Sequence, residues 1–452
     1  MKLSDIWPTN EVVSWLQQIL SERFGHIFIL DRTAPQTIRL TLSDAIPVID
    51  ISTNTHYFSR TGSDLPCCHW NAAAEGWNPP LDKPLPAPGA DILPSPLIEQ
   101  AEAGYRIHYD ILGLTYWMLS RQEEIGRTKL DNHNRFPAAS SHAYKHDYLE
   151  RPIVDEWLNV LGQVVQRACP GIELRRHRFN MKVSHDVDSL YSFASIKELV
   201  LGMGDDVLKR GNIRSALLKP WVRMNTRNRL HSADPANTFE WIMDISDKYG
   251  LTSAFYFMCG KTAPGKDGSY EPEHPAIRHL MRRIHERGHE IGLHPSYNTY
   301  RNPAAIVTEA QRLRKVCAEE GIEQIEWGGR MHYLRWEQPT TLQGWEQAGM
   351  SYDSTLSYAD HAGFRCGTCF EYPAFDPVAD KALNLRIRSL IAMDCTVMAK
   401  RYMGLGSGET AFEKFSELKK SCKTVNGCFT LLWHNTELET LKKRKLYQSI
   451  LA

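Results

Sequence analysis

The sequence predicts an α/β protein: a parallel (β/α) barrel of roughly seven β/α units, preceded by a smaller α+β domain. Three observations point there. From about residue 178 the chain changes to a regular alternation of short apolar runs and amphipathic segments. Those segments have helix stops of the expected kind, such as Gly288, Gly321 and Gly349. Polar, chemistry-bearing residues follow several of the apolar runs, where a parallel barrel keeps its active site.

The bulk numbers bound the class. A chain of 452 residues is expected to hold two domains, here 1–175 and 176–452. Lys+Arg and Asp+Glu are both 53, so no global charge draws the protein to nucleic acid or to an anionic membrane. Residues 1–11 lack an apolar core of signal-peptide length, and no run approaches a membrane span. Ten cysteines are scattered, as expected of reduced thiols in a cytoplasm. Cys366-Gly-Thr-Cys369 has no second pair, and it and Cys67–Cys68 are read as structural thiols.

In the first domain, Val12, Leu16, Ile19 and Leu20 form one stripe of a helix over 11–23. Strands are expected at 27–30 and 46–51. Residues 76–96 are Pro-rich and read as a loop or linker. Residues 109–124 read as a buried helix ending in a polar turn, Ser120-Arg121-Gln122-Glu123-Glu124. Residues 126–148, with His133, His142 and His146, read as a solvated loop, with a metal site as the alternative.

In the second domain, strands are expected at 180–184, 252–258, 289–293, 324–328, 351–354, 385–391 and 428–433. Ile277, Leu280, Met281 and Ile284 share one helix face. Ile306, Ala310, Leu313 and Cys317 share another, opened by Asn302-Pro303. Residues 190–235 form an insertion carrying Lys209, Arg210, Arg214, Lys219, Arg223, Arg227 and Arg229. It is either a solvated helical face or the wall of a groove for an anionic or sugar-phosphate substrate.

The candidate site begins with Ser184-His185-Asp186-Val187-Asp188. Period-two alternation puts both carboxylates on one face, about 7 Å apart, where they repel unless a cation or proton lies between them. Alone, this pattern also fits an Asx-rich turn. Later strand ends add His294, Arg330, His332 and His434. By the same alternation His185 faces away from both aspartates, and His289 lies opposite to His294.

Residues 184–188, Gly288-His289-Glu290-Ile291-Gly292-Leu293-His294, Arg330–Tyr333 and Leu431–His434 occur in the order of the motifs of polysaccharide deacetylases, the NodB-like carbohydrate esterases. The resemblance covers about 178–440. The first domain, with Arg121 to Glu124 and Arg135-Phe136-Pro137, resembles the uncharacterised domain that precedes some bacterial members. The resemblance implies metal-dependent removal of an N- or O-linked acetyl group from a sugar or glycan, in surface polysaccharide metabolism. It implies Asp186 as general base, Arg330 as its partner and His434 as general acid. It makes Asp188 and His294 ligands of a divalent metal, zinc first among them, and places Asn298 and Tyr333 toward substrate. Such a metal polarises the acetyl carbonyl and lowers the pKa of water, while backbone N–H groups serve the oxyanion. Two departures stand out. Asn298 replaces the family's second His ligand, and His332 replaces its Pro. His332 is therefore expected to supply the missing imidazole. The alternatives are a non-sugar amide hydrolase and a catalytically silent carbohydrate-binding protein.

Overall fold

The computed structural model describes residues 7–42, 48–190, 199–200, 203–204, 213–225, 230–231 and 233–452. The first helix, Asn10–Phe24, buries the predicted stripe together with Trp15 and Phe24. The Thr9 side chain caps it by accepting from the Val12 N–H. Strands β1 (Phe28–Ala34), β2 (Thr37–Leu42), β3 (Val48–Ser52), β6 (Ile98–Ala101) and β7 (Gly104–Ile107) form one sheet, ordered β1-β2-β3-β7-β6. β4 (Cys67–Trp70) and β5 (Leu85–Pro88) form a separate antiparallel pair. The helix Ile111–Leu119 is buried along its whole length, and the Asp110 carboxylate accepts from the Gly113 N–H at 2.6 Å as its cap.

The second sheet contains β8 (Asn180–Val187), β9 (Ser253–Phe257), β10 (Glu290–Leu293), β11 (Gly328–Gly329), β12 (Tyr352–Asp353), β13 (Tyr372–Asp376), β14 (Lys381–Ile387), β15 (Ala392–Met393) and β16 (Cys428–Leu432). Its order is β13-β14-β12-β11-β10-β9-β8-β16-β15, parallel throughout except for the antiparallel pair β13/β14. The chain between β14 and β15 touches both flanks: Arg388 N–H donates to Asp353 O, and Ile391 N–H donates to Thr430 O. The helices form as their caps predict. Pro303–Glu319 starts on Asn302, whose side chain accepts from Ala305 N–H, and buries Ile306, Ala310, Leu313 and Cys317. Pro275–Glu286 buries Ile277, Leu280, Met281 and Ile284.

Large residues are set against small ones in the second sheet. Tyr256 and Tyr352 are buried and their hydroxyls meet at 3.1 Å. A Cβ on Gly328 would stand 2.0 Å from the Tyr352 ring, and one on Gly329 would stand 1.9 Å from Leu293 O. Two glycines are therefore what lets β11 pass between Tyr352 and β10.

The N-terminal elements pack directly on this sheet. Trp15 donates from Nε1 to Pro373 O at 2.9 Å, and Tyr116 meets Phe375 edge-on. The predicted polar turn is itself buried: Arg121 pairs with Glu123 and Glu124, and Arg365 pairs with Glu124. These charges are tolerated there because each has a partner.

Two expectations need correction. Residues 76–96 are no linker, because β5 lies within them with Leu85 and Ala87 fully buried. Prolines 86 and 88 fit because this two-stranded pair leaves an edge free. Residues 126–148 are a solvated loop only in part: 126–134 are exposed or half-buried, whereas burial sets in from Arg135. His142 is wholly buried, with Nδ1 2.5 Å from Tyr148 Oη and Nε2 2.9 Å from Leu65 O. Burial, aided by His146, pushes its pKa down to about 3, so the ring is neutral and structural. Of the insertion, the helix Ile213–Asn225 is described. Lys209, Arg210, Arg227 and Arg229 lie outside the described residues. Among the described residues, no helix is long and apolar enough to cross a membrane.

Candidate active site

Parallel pairing in register delivers the ends of neighbouring strands to one layer. Leu293 pairs with Gly329, and Met393 with Leu432. The next residues along are His294, Arg330, Asp394 and, one further, His434. Asp186 lies within β8, and Asp188 follows its last residue. Asp186, Asp188, His294, His332, Tyr333 and His434 line a single cavity of about 160 Å³.

Each imidazole is oriented from behind. His294 Nδ1 donates to Arg330 O at 2.6 Å, and His332 Nδ1 lies 3.1 Å from Asp267 Oδ1. Their Nε2 atoms turn to the same oxygen, Asp188 Oδ1, at 3.2 and 3.7 Å. That oxygen is buried with no hydrogen-bond partner of acceptable geometry. Ligands about 2.0–2.2 Å from one tetrahedral ion stand roughly 3.3–3.6 Å apart. Two nitrogens and one carboxylate oxygen at these separations, with the opposite ring nitrogens already held, fit a divalent cation with a position left open. Burial alone would raise the Asp188 pKa, but His332, His294 and His434 outweigh it and hold the carboxyl far below its usual range. For Asp267, the His332 contact and the Tyr297 and Ala263 N–H groups outweigh burial and bring the pKa to about 2.

A second group with metal-ligand spacing is Asp394, Cys395 and His434. It fits a cation poorly. Asp394 is occupied in accepting from His434 N–H at 2.6 Å, in meeting His434 Nδ1 at 2.8 Å and in accepting from Cys395 N–H. Burial, reinforced by Asp394, pushes the Cys395 thiol far above its usual range. The pair acts instead on the imidazole: burial opposes protonation of His434, but Asp394, followed by Asp188 and Asp186, raises its pKa to about 10. His434 Nε2 stands 3.7 Å from Asp188 Oδ2.

Asp186 is matched by Arg330, whose Nη1 donates to Oδ1 at 2.7 Å. Arg330 is fixed in turn by the hydroxyls of Ser184 and Ser354 and by Ser354 O. Asp186 Oδ2 faces His294 Nε2 at 3.9 Å. The site thus holds a carboxylate and an imidazolium, each with its own counter-charge, flanking three metal-competent ligands.

His185 and His289 are buried away from the cavity, on Trp433 O and near Asp247. Asn298 is not among the cavity-lining residues. Its side chain brackets two loops, donating to Thr262 O at 2.8 Å and accepting from Arg335 at 3.2 Å. Sequence reasoning missed Asp267 and Asp394, the carboxylates behind His332 and His434. It also missed Arg135, which enters the cavity wall from the N-terminal elements. Arg135 donates to Tyr333 O at 2.9 Å and to Tyr402 Oη at 3.3 Å. Applying the strand-end rule to the run 385–391 would have reached Asp394; for Asp267 and Arg135 no periodic signal exists.

Residues 11–170 match a family of unknown function (DUF7033). No curated protein matches the chain. Solved structures that resemble it include a protein assigned as a polysaccharide deacetylase from Mycobacterium smegmatis, at 16% identity and TM-score 0.37, over 61% of this chain and 82% of that one. Another is Puue allantoinase, at 12% and 0.35, over 60% and 82%. A third is a protein assigned as a polysaccharide deacetylase from Pseudomonas aeruginosa PAO1, at 13% and 0.34, over 61% and 84%.

Proposed function

We propose that the protein is a metal-dependent hydrolase that removes an acetyl group, N- or O-linked, from a sugar or glycan of surface polysaccharide metabolism. Residues 176–452 are the catalytic unit, read as a seven-membered (β/α) ring closed through residues 381–393, and 1–175 are its accessory domain. The observation that carries the reading is the pairing of Asp186–Arg330 and His434–Asp394 around Asp188, His294 and His332. A binding protein has no need of an acid and a base in one cavity.

In this reading Asp188, His294 and His332 hold the divalent cation, and two imidazoles with one carboxylate favour zinc. When bound, the cation supplies Lewis acidity toward a carbonyl oxygen and toward water. Asp186 Oδ2 accepts the proton of the attacking water, while Arg330 fixes the other oxygen. His434 Nε2 gives a proton to the departing amine or alcohol, and Asp394 keeps the ring protonated and aimed. Tyr333, at the cavity wall, contacts the sugar.

The test is acetate release from N-acetylated and O-acetylated sugars by the purified protein, with and without chelator. Release that stops with chelator and returns with zinc is expected. Asp186→Asn and His434→Ala should each lower kcat at least about 100-fold with metal content retained. Sugar binding without release would support the silent binding protein instead.

A further inference from the structure

We propose that the cavity mouth contains an anion subsite formed by Lys266 and Arg401, and that the sugar it receives carries a carboxylate or phosphate group. The inference rests on the hydrolytic reading for the sugar, and on charge and geometry for the subsite.

Among the described residues, every other charged group around the cavity has a partner. Asp186 is matched by Arg330, Asp394 by His434, Asp267 by His332 and Arg135 by Asp131. Asp188 faces three imidazoles and would be matched by a cation. Lys266 and Arg401 also line the cavity, yet neither is within ion-pair distance of a carboxylate among the described residues. They come from different loops: Lys266 adjoins Asp267, the anchor of His332, and Arg401 follows the Asp394 segment. Each rests on an aromatic ring, Lys266 Nζ 3.8 Å from the centroid of Tyr297 and the Arg401 guanidinium 5.0 Å from that of Tyr402. Such contacts hold a cation in place without neutralising it.

Both cations line the same cavity as Tyr333. A divalent ion held by neutral imidazoles would be balanced by Asp188 and by Asp267, because His332 is uncharged when it ligates. Lys266 and Arg401 would then remain as the positive surplus at the cavity mouth, with no carboxylate among the described residues within ion-pair distance of either. A concave site of one sign concentrates ligands of the other sign. A neutral acetylated sugar leaves that surplus unmatched; a sugar acid or sugar phosphate matches it.

The experiment is calorimetric titration of the zinc-loaded full chain with N-acetylglucosamine, N-acetylglucosamine 1-phosphate and N-acetylglucosaminuronic acid. At least one acidic sugar should bind about tenfold or more tightly than the neutral one. The preference should shrink between about 0.05 and 0.5 M salt. It should vanish in Lys266→Glu/Arg401→Glu, and whichever acid shows it identifies the anion as phosphate or carboxylate. Equal binding of all three, or binding of neither acid, overturns the proposal. So does a preference that survives in the double variant, since the metal would then be holding the anion. Tight, Lys266- and Arg401-dependent binding with no acetate release would leave the subsite standing and overturn the hydrolytic reading.

Discussion

Arg135→Ala should damage the candidate site from outside the second sheet. Arg135 is nearly buried and joins three groups: Asp131 at 2.7 Å, Tyr333 O at 2.9 Å and Tyr402 Oη at 3.3 Å. The turn it braces is strained, because Tyr333 and Leu334 both hold left-handed backbones, at φ +62 and +55. Left-handed residues cost about 1–2 kcal/mol each, so the pair stores roughly 2–4 kcal/mol. A hydrogen bond from a charged donor is worth about 1.5–3 kcal/mol. Removing the guanidinium thus removes a force comparable to the strain it opposes, and the turn carrying His332 and Tyr333 should relax. A displacement near 1 Å in a catalytic group costs on the order of 100-fold in rate. The assay is kcat and KM for acetate release, with thermal melting followed in parallel. The expected result is a 10- to 100-fold loss in kcat/KM, with partial recovery in Arg135→Lys. A folded Arg135→Ala protein with unchanged kcat and KM would show that Arg135 does not brace this turn.

Two further outcomes are expected. His332→Ala should weaken zinc binding by more than the roughly 10–100-fold typical of losing an outer-shell partner. Asn298→Ala should leave zinc affinity unchanged, since the Asn298 amide is engaged with Thr262; equilibrium dialysis reads both. Asp394→Asn should move the alkaline limb of the pH–rate profile to lower pH. Burial depresses the His434 pKa and Asp394 is the largest influence raising it, so losing that charge lowers it. Turnover that needs protonated His434 is retained below its pKa and lost as pH rises through it, so an unmoved limb would remove His434 from the acid role.

The cavity-lining residues of the second half of the chain were legible because strand-end positions are periodic. Counting by two from Ser184 placed Asp186 and Asp188 together, and the end of each apolar run placed His294, Arg330 and His434 in one layer. Asn298 and His332 could be weighed against each other because both positions follow strand ends. What orients these groups was not legible. Asp267 lies in a loop held by Thr262, Ala263 and Tyr297 N–H donors, and a loop's path has no sequence period. The His-rich stretch 126–148 misled for a related reason. Its polarity suggested solvent, whereas His142 is buried and satisfied by distant Leu65, a pairing that local composition does not encode. Arg135 was quoted as part of a motif, but its target, Tyr333 O, belongs to another element far along the chain.

The proposed hydrolysis requires that Asp188, His294 and His332 hold a cation. Anomalous diffraction at the zinc edge from crystals of the zinc-loaded protein locates that ion. One strong peak is expected about 2.0–2.2 Å from His294 Nε2, His332 Nε2 and an Asp188 oxygen. A peak among Asp394, Cys395 and His434 instead, or no peak at either group, would contradict it.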